Sequence, residues 1–376
     1  MNNVYVKIRL KEGMCMEVKL IKEETIEEAY KKAKKIMDLN ALRFIDCFPY
    51  LCTDVNGRYA KSRREDMCNG FWTGIYILAY EASGDTRYRH IVSKYVEKMY
   101  NRLFEGDITG AEMGILYVPS CVAATRIGKI KIAKTAGVVA ADILVSIYKK
   151  IDDCYFVNDN YLAPSKDNYV PMKISAMLNC SILYWASEVT GVEDYKMLAN
   201  DVINFIADNL IDESGTVWWE YNFKKYPTGE SFIHGDNCRG IAWALYGLAV
   251  RYRQDREKHI FDKILRILEK YAPQIQKADF CSMDSTMLAC IVCALYEISG
   301  YADESFEKYH EFADWMLLNI IERFSLEPFG KTDGLIGNAD GMSYFDAPMK
   351  NVSAVAGDYF YVEALVRKMK SFRLYI

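Results

Sequence analysis

The chain has 376 residues, 51% hydrophobic and 14% aromatic, enough for a full core in one large domain or two. A net charge of −4 without a basic stripe excludes nucleic acid as a partner, because nothing is set to displace phosphate counterions. No run of about 18 apolar residues occurs, so no membrane contact is expected, and the charged first residues predict no secretory signal.

Residues 1–22 alternate apolar and charged (Val4, Val6, Ile8 and Leu10, then Met16, Val18 and Leu20), predicting an N-terminal β-hairpin appendage that turns at Glu12-Gly13. From residue 23 to 376 the pattern reads as a single helical domain. Helical spacing predicts Glu24–Met37, Gly70–Ser83, Tyr88–Leu103, Ala111–Ile127, Ile130–Tyr148 and Val170–Thr190. It continues with Tyr195–Leu210, Asn237–Tyr252, Glu257–Tyr271, Ser285–Ser299, Ser305–Phe324 and Val352–Met369. A weak repeat underlies these helices: Tyr80–Gly84, Ala124–Gly128, Trp185–Gly191 and Tyr296–Gly300 each end one helix just before the next begins. Glycine past a helix end fits a left-handed C-terminal cap, so the chain is expected to fold as six helical hairpins, open or closed into a ring. Short turns then share one end. The longer polar and aromatic loops, 48–68, 105–110, 152–169, 215–237, 277–284 and 330–351, share the other, where function is expected.

Eleven cysteines are scattered along the chain. Cys290 and Cys293 lie inside the apolar run Met287–Tyr296, so buried thiols in a reducing cytoplasm are the expectation. With four histidines and no ligand-like cluster, neither a metal nor a cofactor is expected. The twenty-eight tyrosines and six tryptophans suggest a cleft lined by flat rings, although core filling is the commoner use.

One stretch concentrates chemistry. In His234-Gly-Asp-Asn-Cys-Arg-Gly240, polar groups stand at or just before the start of the helix over 237–252. Free backbone N–H groups and the positive dipole end there favour anions. Arg239 offers a forked donor, and Trp243 one turn later offers a flat face. An anionic sugar acid suits this equipment; the competing reading makes Asp236 or Asn237 an N-cap and Arg239 a surface ion pair.

Several segments in order carry a resemblance: Arg43–Tyr50, Asn56–Tyr59, Asn69-Gly-Phe-Trp-Thr-Gly74, Leu183–Ser187, Arg239-Gly-Ile-Ala-Trp243 and Gly357-Asp-Tyr-Phe-Tyr361 through Arg367. Together they resemble the unsaturated glucuronyl hydrolases of glycoside hydrolase family 88 and the related unsaturated rhamnogalacturonyl hydrolases of family 105. The resemblance implies an all-α (α/α)6 barrel. It also implies removal of a 4,5-unsaturated uronic acid from an oligosaccharide: an aspartate protonates C4 of the vinyl ether, water adds at C5, and the resulting hemiketal opens. Such proton transfer needs a carboxyl tuned by burial and neighbours.

Residue by residue, the resemblance departs at the chemistry. The family's His-Asp falls on Ala111 and Glu112, and its principal catalytic aspartate falls on Ser175. A family histidine falls on Trp219, and a tryptophan on Met67. Arg239 and Trp243 match directly. The implied site therefore takes Glu112, His234 and Asp236 as acid–base candidates. Arg239, Trp243, Trp72, Trp219, Glu220 and Ser175 are the sugar-binding candidates, and Asp284 is a further carboxyl that reads better as an N-cap, with Ser285 as the alternative cap. The expected function is a glycoside hydrolase acting on a uronic-acid-bearing oligosaccharide. A catalytically silent carbohydrate-binding relative on the same scaffold is the alternative.

Overall fold

The computed structural model describes residues 5–11, 14–62, 68–104, 112–128, 130–151, 153–158, 169–222, 224–235, 237–328, 332–342 and 347–370. Two kinds of helix alternate along it. One kind is apolar all round: α11 (Ser285–Ser299) buries every residue from Ser285 to Ile298. The other is amphipathic: α10 (Lys258–Lys277) buries a stripe of Ile260, Ile264, Ile267, Leu268, Tyr271 and Ile275 beneath a charged outer face. A helix without a polar face must be surrounded by protein, whereas an amphipathic one can face water. The two kinds therefore sort into an inner and an outer ring.

The inner ring is α2 (Cys68–Ser83), α4 (Met113–Tyr117), α6 (Ala176–Asn179) with α7 (Ser181–Thr190), α9 (Arg239–Asp255), α11 and α13 (Val355–Met369). Each packs on the next, and α13 closes the circle against α2. Outside lie α1 (Glu23–Arg43) on α13, α3 (Thr86–Arg102) on α2, α5 (Lys131–Ile147) on α4, α8 (Glu193–Leu210) on α7, α10 on α9 and α12 (Glu307–Phe324) on α11. This is the expected (α/α)6 barrel. Burying one Ile or Leu in such a seam stabilises by about 1.5–3 kcal/mol, so the rings hold largely by apolar area.

Where the structure departs from the helix forecast, local chemistry explains it. The helix expected over 111–127 is the short α4 followed by a π-helical turn, Val118–Val122, where Pro119 supplies no N–H donor. The helix expected from Val170 starts only at Ala176, because β7 (Tyr169–Val170) and β8 (Met172–Lys173) pair with other strands first. Gly84, Gly128 and Gly191 take the expected left-handed conformation, with φ of +69°, +67° and +76°. Gly300 does not: its φ is −69°, and its N–H donates to Glu297 in a tight right-handed turn open to any residue. After α9 the left-handed cap is Arg256, at φ +56°.

The segments expected as irregular loops contain short sheets. They hold β3 (Pro49–Thr53) with β4 (Tyr59–Lys61), β5 (Tyr148–Ile151) with β6 (Cys154–Asn158) and β7, and β8 with β9 (Trp218–Tyr221) and β10 (Pro227–Glu230). The last pair is β11 (Ala339–Met342) with β12 (Pro348–Val352), and every pairing is antiparallel. The N-terminal hairpin, β1 (Tyr5–Lys11) and β2 (Met14–Lys19), lies against α10 and α12, where Lys19 meets Glu322 at 3.2 Å.

The turn end of the barrel is closed by buried charge. Arg367 of α13 donates to Glu363 and to Glu297 of α11, both at 2.9 Å, and Arg253 of α9 reaches Glu297 at 3.3 Å. Tyr246 donates to Glu363 at 3.3 Å. Burial pushes the Glu363 carboxyl above its usual range against the pull of Arg367. On α2, burial raises Glu81 to about 7, opposed by Arg126 and Lys370.

Candidate active site

The N-termini of the inner helices converge at the end that carries the hairpins. Within the ring just below this mouth is a cavity lined by Phe71, Gly114, Leu178, Tyr246, Tyr359 and Phe360, among others. Its walls come from five inner-ring segments and are mostly apolar and aromatic, as small-molecule sites commonly are. Tyr246 lies seven residues past Arg239 on α9, about 10 Å down the helix, so Arg239 stands at the mouth and the cavity lies beneath it.

Glu112 and Ser175 stand at the starts of two adjacent cavity walls. Glu112 is the half-buried residue leading into α4, and Ser175 is the half-buried residue leading into α6. The two helices meet unusually closely, because a Cβ on Gly114 would sit 2.1 Å from the Asn179 carbonyl oxygen. Only glycine fits there, and Asn179 seals the contact by accepting the Ile115 N–H at 3.0 Å. Glu112 thus stands at the start of the wall next to the one that Ser175 begins.

Arg239 begins α9 and its partners fix it. It donates from Nε to Asp284 Oδ1 at 3.2 Å and from Nη2 to Asp284 Oδ2 at 2.8 Å, and Nη2 also donates to the Asp340 carbonyl. Burial works against its charge, but Asp284 outweighs burial and holds the guanidinium above its ordinary range. Asp284 also caps α11 through the Met287 N–H and accepts the Asp340 N–H, both at 2.8 Å. The N-cap reading of Asp284 therefore holds, and its pairing with Arg239 at the mouth was not foreseen. Burial, with Asp284 adding to it, raises the neighbouring Cys238 thiol to about 12, so it is an inert neutral group.

The remaining candidates divide. Trp219 on β9 is half-buried and lies over Gly240, where an added Cβ would meet the Ser231 hydroxyl at 2.3 Å and the Trp219 ring at 3.4 Å. Glu220, next on β9, is half-buried and pairs in register with Thr228 and Lys173. Trp243 is half-buried one turn into α9, with its ring 5.9 Å from that of Phe360. His234 is exposed on the segment before α9, with Nδ1 3.2 Å from the Ser282 carbonyl. Asp236, like Ala111 and Met67, lies outside the described residues.

Trp72 does not belong to the mouth. It is 2% exposed, makes edge contacts with Phe44, Tyr59 and Tyr76, and donates its indole N–H to Tyr95 at 3.1 Å. Its ring fills the seam between α2 and the outer helices and leaves no face for a sugar. Asp340, Tyr359 and Phe360 escaped the candidate set. The Gly-Asp-Tyr-Phe segment containing the last two was visible in the sequence, but nothing marked which side chains face inward.

Among the described residues, no group of three or more His, Cys, Asp or Glu side chains is arranged to hold a metal. Ten of the eleven cysteines are placed as free thiols, eight of them buried. Among the described residues, no helix is long and apolar enough to cross a membrane.

No protein-family model matches the chain. Whole-length relatives do. The chain is 27% identical to the unsaturated chondroitin disaccharide hydrolase of Streptococcus pneumoniae, over 96% of each sequence. It is 28% identical to that of Streptococcus agalactiae over 95% of this chain and 94% of the relative, and 25% identical to the unsaturated glucuronyl hydrolase of Bacillus sp. over 91% and 96%. The crystal structure of the Streptococcus agalactiae unsaturated glucuronyl hydrolase superposes with a TM-score of 0.84 at 26% identity, covering 95% of both chains. A mutant of that enzyme complexed with dGlcA-GalNAc6S superposes at 0.80 and 25% identity over the full length of both. Sequence along nearly the whole chain and the closed double ring of helices agree: the chain is similar throughout to unsaturated glucuronyl hydrolases and shares their fold.

Proposed function

We propose that the protein is a glycoside hydrolase that removes a terminal 4,5-unsaturated uronic acid from an oligosaccharide by acid–base-assisted hydration. The observation that carries this reading is Glu112, a half-buried carboxyl at the start of a cavity wall in a barrel shared with unsaturated glucuronyl hydrolases. In this reading the protonated Glu112 gives its proton to C4 of the vinyl ether. Water then bonds to C5 and returns a proton to the Glu112 carboxylate, so the acid is restored. The hemiketal opens, breaking the bond to the rest of the oligosaccharide. Arg239 takes the sugar carboxylate, while Trp243 and Trp219 supply flat faces at the rim. His234 and Asp236 are the reserve proton carriers, Glu220 and Ser175 polar contacts. The many buried free thiols favour work in the reducing cytoplasm.

The test is loss of vinyl-ether absorbance on a panel of unsaturated uronyl disaccharides. Decay is expected, and its absence across the panel in folded protein would remove the hydrolase reading. Ser175, where the resemblance implies a carboxyl, favours a second reading, a silent carbohydrate-binding protein. Calorimetric binding of the same disaccharides without any decay would select it.

A further inference from the structure

The pairing of Arg239 with Asp284 does more than neutralise a charge. Its Nε–Nη2 edge is taken up by the two oxygens of Asp284, which fixes the plane of the guanidinium and leaves the described bonds off Nη1. The same two side chains grip the backbone of Asp340 from both sides, since Asp284 accepts its N–H and Arg239 donates to its carbonyl. A residue held through both backbone groups is held as a neighbouring strand would hold it, and Asp340 is the second residue of β11. The hairpin has a further tie to the mouth: the Cys52 thiol donates to the Met342 carbonyl at 3.0 Å. A Cβ on Gly341 would come within 2.8 Å of the Cys52 sulfur.

We propose that Asp284 is a positioning residue with two linked tasks: it aims Arg239 so that Nη1 faces an incoming uronate, and through Asp340 it latches the β11–β12 hairpin beside the mouth. The first task rests on the hydrolase reading above; the second does not. A carboxylate reaching the exposed end of the guanidinium competes with the Asp340 carbonyl for Nη2, so ligand arrival and hairpin position are coupled through one donor. Asp284 touches no reacting atom and acts through Arg239.

Asp284→Asn tests this with little risk to the fold, since asparagine also caps helices well. Its amide presents N–H donors toward Arg239 Nη2 or the Asp340 N–H, so the fork is lost. The expected result is a KM for the unsaturated disaccharide raised about tenfold with kcat within about twofold, because ground-state aim is lost and proton transfer is not. In an Arg239→Lys background, which keeps the charge but gives up the fork, Asp284→Asn should add nothing; additive losses would mean that Asp284 is only a helix cap and would overturn the proposal. Hydrogen exchange over residues 339–342, measured without ligand, should accelerate in both single variants. Unchanged protection there overturns the latch. If the parent protein turns over no disaccharide while Asp284→Asn still exposes 339–342, the hydrolase reading fails and the latch stands. Should Asp284→Asn fail to fold, Arg239→Lys alone decides, and a fully protected β11 in that variant overturns the proposal.

Discussion

The two ends of the barrel are built from the same six inner helices and solve opposite problems. At the turn end the C-termini meet, and what fills the space is charge against charge: Arg367 between Glu363 and Glu297, Arg253 on Glu297, and Arg126 and Lys370 facing Glu81. Side chains close that end, so the chain can return in short turns. At the mouth the N-termini meet, and the space is covered by hairpins whose strands are two to five residues long. There ion pairs tie down the rim, Arg43 and Arg58 to Asp333 and Arg239 to Asp284, while the cavity beneath keeps an apolar lining. Buried charge fills one end, and an apolar cavity beneath rim ion pairs leaves the other able to receive a ligand.

That contrast can be broken at either end. The largest effect is expected at the mouth. Glu112→Gln removes the transferable proton with almost no change in size, so turnover of unsaturated disaccharide should fall about 10²- to 10⁴-fold while urea unfolding stays unchanged. Retained turnover would move the acid–base role to His234 or Asp236. At the turn end the sign of the result reverses. Arg367→Met leaves Glu363 and Glu297 buried beside an apolar group, a loss of about 3–5 kcal/mol by urea unfolding, with KM unchanged in the folded fraction. A variant as stable as the parent would show that the network is not what closes that end.

The smallest effect is a slope. Asp358, beside the mouth on α13, accepts the Leu335 and Ile336 N–H groups and the Tyr59 hydroxyl, and burial raises it from 3.8 to about 7. Between those values the folded chain keeps a proton that the unfolded chain has released. The stability that Asp358 contributes should therefore be full below about pH 4 and be lost as pH rises to about 7, with Glu81 acting in the same direction. Asp358→Asn should flatten that decline in melting temperature. An unchanged slope would assign it to Glu81 and the turn end instead.

Much of the scaffold was legible because helical periodicity is local. Apolar residues on one face of α10, or glycine after α2 and α7, can be read within a few turns; the count of hairpins allowed a closed ring, and the resemblance implied it. The mouth was harder to read for the same reason. Strand β8 is two residues long and exists because Met172 pairs with Tyr221, far along the chain. Arg239 and Asp284 were each suspected, but 45 positions separate them and no spacing rule joins them. Trp72 was misjudged because α2 is buried throughout its first twelve residues, Cys68 to Ala79, and a helix without a polar face gives no clue to which ring points inward.

Ring closure also has a consequence in time. The inner circle is completed where α13 meets α2, through Phe71 against Tyr359 at 5.1 Å, so the first inner helix made waits for the last. Until α13 has been made, the flank of α2 that it covers has no partner. Contacts so distant in sequence slow folding and lengthen exposure to aggregation. Closing the ring therefore depends on a contact between the first and last inner helices rather than on any single hairpin.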